Sequence, residues 1–175
     1  MTFVRGSRTR PARRSPDSKV VTLARLARAV GRARRSGRKV VFTNGVFDLL
    51  HPGHVMLLCR ARRMGDVLVV AVNSDASVRR LKGPGRPFLK QSDRAFMLAA
   101  LEAVDFVVTF GEDTPLRIIR RVRPDVLVKG GDWSAGAIVG REIVERAGGR
   151  VMRVPVRKGL STTSIAGRVA SRRRR

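Results

Sequence analysis

Two short stretches, far apart in the chain, carry residue types suited to gripping phosphate. The first is Gly45-Val46-Phe47-Asp48-Leu49-Leu50-His51-Pro52-Gly53-His54. Its two imidazoles lie three positions apart and flank a Pro-Gly turn that opens a helix. The free N–H groups and positive dipole end of such a helix favour an anion. His51 and His54 add side-chain donors on the same side, and Gly53 lets phosphate oxygens approach the backbone. A partial metal site and a pair of core histidines are the competing readings; no third ligand cluster accompanies these two histidines, the only ones in the chain. The second stretch is Gly159-Leu160-Ser161-Thr162-Thr163-Ser164-Ile165. One hydroxyl would cap the helix that starts there, but four exceed what a cap needs. The surplus suits a second anion site facing the first.

Bringing these stretches together requires a scaffold, and the apolar pattern supplies one. Thr22 caps a helix through Leu23, Leu26, Ala27 and Val30 that ends near Gly37. A strand over Lys39 to Thr43 runs into the loop Asn44 to Gly53, followed by a helix from Gly53-His54 to before Gly65. Val67 to Asn73 is a continuous apolar run, which suits a strand buried on both faces. The stretch Leu81 to Pro87 is expected to be a flexible loop. Ser92 or Asp93 caps a helix through Leu101, and a strand covers Phe106 to Phe110. Thr114 caps a helix with Pro115 at its first position. Strand Val126 to Lys129, a helix around Ala137 to Ala147, strand Val151 to Val154 and a helix from Thr162 follow. This alternation predicts an α/β protein, a Rossmann-like five-stranded parallel sheet with helices on both faces. Ligands bind such sheets at the carboxyl ends of the strands. The expected organisation is a flexible basic arm over 1–17, one domain over 18–170 and an Arg-rich tail over 171–175.

Three cations and one carboxylate stand near that crevice. Lys82 is either a solvated loop cation or, since its loop follows the second strand, a phosphate neutraliser. Arg94 begins a helix, where a cation opposes the dipole, so a ligand is the expected reason for it. Arg86 is placed with it as substrate-binding. Asp48 is expected to shape the first loop rather than act as a base, because a phosphate nucleophile is already ionised near pH 7.

The net charge of +25 is concentrated at the ends: residues 1–39 hold 13 Lys and Arg against one acid, Asp17, and the last four residues are all Arg. The ends are either solvated tails or a nucleic-acid arm. No aromatic residues interleave with the arginines to stack bases, so solvated tails are the favoured reading, with the weak, salt-sensitive RNA binding that any such tail has. No apolar run reaches the roughly 18–20 residues of a membrane span, and no signal-peptide pattern opens the chain; a cytoplasmic location is expected. Cys59, the lone cysteine, is expected to be a buried structural thiol between apolar neighbours.

The GVFDLLHPGH loop taken with LSTTSI resembles the cytidylyltransferase-like superfamily, whose signature pair is His-x-Gly-His and Ser-Thr-Thr. The runs KVVFTNGVFDLLHPGHVMLLCRAR, VVAVNSDASVRRLKGPGRP, LEAVDFVV, DVLVKGGDW and LSTTSI are similar to bacterial heptose 1-phosphate adenylyltransferases. In many bacteria that activity is the C-terminal half of a bifunctional kinase/adenylyltransferase. The resemblance implies transfer of AMP from ATP to a sugar 1-phosphate by direct in-line attack, releasing pyrophosphate. It implies His51, His54, Lys82 and Thr162 as catalytic residues. Asn44, Gly45, Val46, Phe47, Gly53, Lys129, Gly130, Gly131, Asp132, Ser161 and Thr163 would bind the nucleotide, and Arg86 and Arg94 the substrate. Trp133 suits packing and stacking equally. Mg²⁺ would be held mainly by the nucleotide phosphates, with no protein metal site. The sugar phosphate would come from a separate upstream kinase, and dimers are common among relatives. Two features depart from the pattern: Val46 stands where that group commonly has cysteine, and the Arg-rich ends are additional. Competing readings are a CTP-dependent glycerol 3-phosphate cytidylyltransferase, an inactive homologue and a basic nucleic-acid-binding protein; the chain is too short for a class I aminoacyl-tRNA synthetase.

Overall fold

The computed structural model describes residues 14–131, 138–155 and 161–172. Five parallel strands, β1 (Val40–Gly45), β2 (Val67–Asn73), β3 (Phe106–Phe110), β4 (Val126–Gly130) and β5 (Arg150–Val154), form one sheet in the order β3-β2-β1-β4-β5. This is the expected Rossmann-like architecture. All seven residues of β2 are buried, as its unbroken apolar run requires in a strand covered on both faces.

The helices are α1 (Pro16–Lys19), α2 (Leu23–Arg35), α3 (Pro52–Arg62), α4 (Asp75–Lys82), α5 (Gln91–Ala100), α6 (Leu116–Val122), α7 (Arg141–Arg146) and α8 (Thr162–Arg172). One core joins Val40, Phe42, Val69, Ala71 and Leu127 of the sheet to Leu26 and Val30 of α2, Ile118 and Ile119 of α6 and Val144 of α7. The other joins Val41, Leu68, Val70, Val72 and Val128 to Leu57, Leu58 and Ala61 of α3 and Ala95, Leu98 and Ala99 of α5. Alternate residues along each strand thus feed opposite layers. The chain steps outward from β1 to β2 and β3, then returns to β4 on the other side of β1. That reversal places a crevice at the carboxyl ends of β1 and β4.

The amino edge is closed by a repeated device. Asp66, Asp105 and Asp125 each precede a strand and accept the backbone N–H of the neighbouring strand's start: Lys39 (2.8 Å), Leu68 (2.8 Å) and Val40 (2.7 Å). Among the described helices, none is long and apolar enough to cross a membrane.

Several local expectations are corrected. Arg14 to Asp17 do not belong to a free arm. Ser15 caps α1, the Arg14 guanidinium lies 4.7 Å from the Phe106 ring centroid, and Val20 bridges to Val107; residues 1–13 lie outside the described part. The segment after β2 begins with a helix, α4, capped by Ser74, so Lys82 is its last residue rather than part of a loop. Ser92 and Asp93 lie inside α5, whose N-cap is Lys90, and Pro115 itself occupies the N-cap of α6, leaving Thr114 outside. Cys59 is exposed: Leu57, Leu58 and Ala61 take the sheet-facing positions of α3, and the thiol falls off that stripe.

Candidate polyphosphate site

The histidine loop leaves the carboxyl end of β1 and turns into α3, with His51 at the N-cap and Pro52 behind it. His51 makes no side-chain cap bond, so its ring is not spent on the helix. The two imidazoles stack, with centroids 3.8 Å apart at 24°. Phe47 meets His54 edge-on at 5.2 Å and is held at φ 47°, a left-handed conformation unfavourable for a bulky side chain. Gly45 makes room for this: a Cβ there would sit 3.1 Å from the Phe47 ring. The Phe47 side chain is buried, so it positions His54 and leaves only backbone to a ligand.

Nδ1 of both histidines is buried without a hydrogen-bond partner among the described residues. Burial lowers the pKa of His51, and it lowers His54 to about 4 with help from the His51 and Lys82 charges. The Leu49 backbone opposes this without meeting hydrogen-bond geometry at Nδ1. Both shifts favour the neutral imidazole, and neutral rings stack without charge repulsion. Lys82, at the end of α4, is close enough for its charge to be felt at His54, so helix rather than loop delivers it to the crevice.

Protonating this pair is opposed by the fold and favoured by a polyanion, and both consequences are measurable. An unfolded histidine binds a proton below about pH 6.5, whereas His54 in the fold does so only near 4. Between those values the unfolded state holds more protons, so stability is full above pH 6.5 and falls as the pH drops toward 4. Thermal melting across that range should show a falling midpoint, with the loss reduced in His54→Gln. Binding of a polyphosphate should work the other way, because phosphate charge raises an imidazole pKa. Titration calorimetry in buffers of different ionisation enthalpy should therefore show proton uptake on binding tripolyphosphate.

Asp48 organises the surroundings. Its carboxylate is 3% exposed and accepts the N–H of Phe88 (2.8 Å), the N–H of Leu89 (3.1 Å) and Arg86 Nη1 (3.0 Å). The loop-shaping role expected for it is what the geometry displays. Arg86 stacks on Phe88 with its guanidinium 4.2 Å from the ring centroid, and its Nη2 donates to Thr163 Oγ1 at 3.3 Å. The histidine loop and the hydroxyl run are thus joined through one arginine. At the start of α8, Ser161 Oγ accepts the N–H of Ser164 and Ser164 Oγ accepts that of Ser161, both at 3.1 Å. Those two serines cap the helix reciprocally; Thr162 and Thr163 are surplus to capping.

Arg94 requires a correction. It is 0% exposed, and it donates to the carbonyls of Leu89, Val46 and Asn73 and to Asp75 Oδ1. Four of its five N–H groups are consumed inside the protein, and none reaches solvent. Its position at a helix start reflects these buried acceptors, not a substrate anion.

On the other side of β1, burial lowers the Lys129 amine to about 8, and it donates to Asn44 Oδ1. Gly131 has φ 99° and gives its N–H to Val154 O at 3.0 Å, so that donor is already engaged. Gly130 ends β4; Gly53 is buried in the first turn of α3. Asp132 and Trp133 lie outside the described residues. Asn44, Gly45, Val46, Asn73, Leu81, Asp113, Thr114, Pro115, Lys129 and Val139 enclose a cavity of about 290 Å³ at the carboxyl ends of β1, β2 and β4. Asn73 and Asp113 were not singled out from the sequence, since single polar residues ending a strand or loop carry no motif. A larger hollow, about 590 Å³, opens at the opposite edge among Arg14, Lys19, Glu102 and Asp105, remote from both motifs.

The family described as cytidylyltransferase-like matches residues 42–168. The "Bifunctional protein HldE" of Citrifermentans bemidjiense is 54% identical over 155 residues, which are 89% of this chain and 32% of that protein. The chain thus spans about a third of that relative's length. Among solved structures, a lipopolysaccharide core biosynthesis protein from Thermoplasma volcanium superposes with a TM-score of 0.57 at 28% identity, covering 70% of this chain and 98% of the other. A pantoate-beta-alanine ligase from Francisella tularensis shares the fold, with a TM-score of 0.60 at 13% identity over 85% of this chain and 72% of that one.

Proposed function

The chain belongs to the cytidylyltransferase-like family, and from that footing we propose that it transfers AMP from ATP to D-glycero-β-D-manno-heptose 1-phosphate, yielding ADP-heptose and pyrophosphate. The stacked, neutral histidine pair at the N-terminus of α3, joined to the hydroxyls of α8 through Asp48 and Arg86, is the observation that carries the reading. Extensive identity with a bifunctional HldE protein supports the acceptor.

An oxygen of the sugar phosphate donates an electron pair to the α-phosphorus, a new P–O bond forms, and the bond to the bridging oxygen of pyrophosphate breaks. No proton need move in that step. The work left to the protein is placement of two anions and stabilisation of leaving charge. His51 and His54 donate N–H to the α- and β-phosphates beside the helix N-terminus. Ser161, Thr162 and Thr163 hold the β- and γ-phosphates, and Lys82 neutralises the leaving pyrophosphate. Asn44, Gly45, Val46, the Phe47 backbone, Gly53 and the Lys129–Asp132 segment frame the nucleotide, with Arg86 swinging between Asp48 and a phosphate. Imidazoles and cations are a poor ligand set for Mg²⁺, which prefers oxygen, and the Asp48 carboxylate is already engaged by Arg86 and two backbone N–H groups. A divalent ion would therefore ride on the triphosphate oxygens, where it supplies charge neutralisation. The domain takes in 14–17 together with the expected 18–170, and a kinase acting on the heptose must supply the 1-phosphate.

The test crosses ATP and CTP against heptose 1-phosphate and glycerol 3-phosphate, reading pyrophosphate release with Mg²⁺. Release with ATP and heptose 1-phosphate, abolished by EDTA, is expected. Release with CTP and glycerol 3-phosphate alone would keep the reaction class and overturn the substrates.

A further inference from the structure

Part of the lining of the cavity at the end of β1, Asn44, Gly45, Val46 and Lys129, belongs to the nucleotide frame; the remainder, around Asn73 and Asp113, has no role in it. We propose that this remainder is the subsite for the acceptor sugar, and that Asp113, oriented by Arg80, determines which hydroxyl pattern is accepted. This rests on the adenylyl-transfer reading and extends it to the acceptor.

Strand alternation places the cavity. Asn44 continues the Val40–Phe42 side of β1, Asn73 the Val69–Ala71 side of β2 and Lys129 the Leu127 side of β4, all of which face the α2/α6/α7 layer. The histidine pair sits on α3, which belongs to the opposite layer. The phosphate cradle and the cavity therefore flank the carboxyl end of β1 from its two sides. In-line displacement needs the attacking oxygen opposite the leaving group. With pyrophosphate held on the α3 side, the acceptor must approach from the α6 side, where the cavity lies.

Its lining suits a polyol. Asn73, Asp113 and Thr114 offer polar groups, while Leu81 and Val139 are exposed aliphatic side chains that can cover the C–H face of a sugar. The Asn73 amide is oriented by donating to Ser77 Oγ at 3.0 Å. Asp113 is fixed more firmly. Arg80 Nε and Nη2 both donate to its Oδ1, at 3.0 and 2.7 Å, and Nη2 also donates to Gly111 O at 2.6 Å. Both bonds fall on one oxygen, which aims the carboxylate and leaves Oδ2 for a hydroxyl donor. The Arg80–Asp113 pair is exposed, and such pairs add little to stability, so Asp113 can be replaced at small cost to the fold.

The full chain is assayed for pyrophosphate release with ATP and either heptose 1-phosphate or mannose 1-phosphate, which lacks the seventh carbon and its hydroxyl. Asp113→Ala should raise KM for heptose 1-phosphate roughly 10- to 100-fold, the range for losing a hydrogen bond to a charged group. KM for ATP and kcat should stay within about threefold, Arg80→Met should reproduce part of the effect, and the preference for heptose over mannose should shrink. Unchanged KM values in an active Asp113→Ala enzyme would overturn the subsite, as would a rise confined to ATP, which would give the cavity to the nucleoside. Wild-type protein silent with both sugar phosphates would overturn the transfer reading itself, and the subsite with it. Melting temperatures within a few degrees of wild type confirm that the variants are folded.

Discussion

Replacing His54 with alanine is expected to lower kcat/KM for pyrophosphate release by about 10²- to 10³-fold, the usual cost of removing one preorganised donor from developing charge. The size of the effect follows from what surrounds the ring. Phe47 holds one edge and His51 stacks on one face, so the imidazole is aimed before any nucleotide arrives and little reorganisation remains at the moment of reaction. Deleting it also frees His51 from its stack. The double variant His51→Ala/His54→Ala should consequently fall by less than the product of the two single losses. The expected loss lies mainly in kcat, because a donor that matters most to the departing pyrophosphate acts most strongly in the transition state. A continuous pyrophosphate assay, with melting curves as the folding control, checks this. A loss below about tenfold in a folded variant would remove the histidine pair from the chemistry.

The largest effect on stability is expected from Arg94→Met. The substitution retains length and removes four donated hydrogen bonds, leaving the carbonyls of Leu89, Val46 and Asn73 and the Asp75 carboxylate without that partner. Asp75 is a quarter exposed and can be solvated, but the buried carbonyls left unpaired cost about 1–3 kcal/mol each, a total that corresponds to a melting temperature lower by on the order of 10 °C for a domain of this size. Urea unfolding should show the same loss as a shifted midpoint with an unchanged slope. Activity should also drop, because the Val46 carbonyl is the point where Arg94 anchors the histidine loop to α5. A melting temperature within about 2 °C of wild type would mean that neighbouring groups or water replace the guanidinium.

Arg94 shows how far sequence reasoning reached into the site. Its position at a helix start was legible, and so was the conflict between its charge and the helix dipole; the conclusion that a ligand resolves the conflict was wrong. Three of its four acceptors are backbone carbonyls on separate segments, and a carbonyl has no sequence signature. Cys59 failed for a related reason: apolar neighbours suggest burial, but the pitch of α3 decides which of them face the sheet. The missed helix α4 is a different case. Ser74 as cap, Asp75 in the first turn, basic residues at Arg79, Arg80 and Lys82, and Gly83 at the end are all present in the sequence, but eight residues give a weaker helical signal than the glycine- and proline-rich stretch after them gives for a loop.

The features that the amino-acid sequence determined alone are those written in short-range periodicity and composition. The unbroken apolar run of β2, the Thr22 cap, the histidines around Pro52-Gly53 and the hydroxyls from Ser161 each encode their meaning within a few residues, and together they specified a parallel α/β sheet carrying an imidazole pair and a hydroxyl run. The tertiary structure alone decided which distant groups share a site. Arg86 meets Thr163 across 77 positions, Arg80 orients Asp113 across 33, and the two imidazoles stack in a buried setting that keeps them neutral. Such pairings depend on how layers pack around β1, and packing is a property of the whole chain rather than of any segment in it.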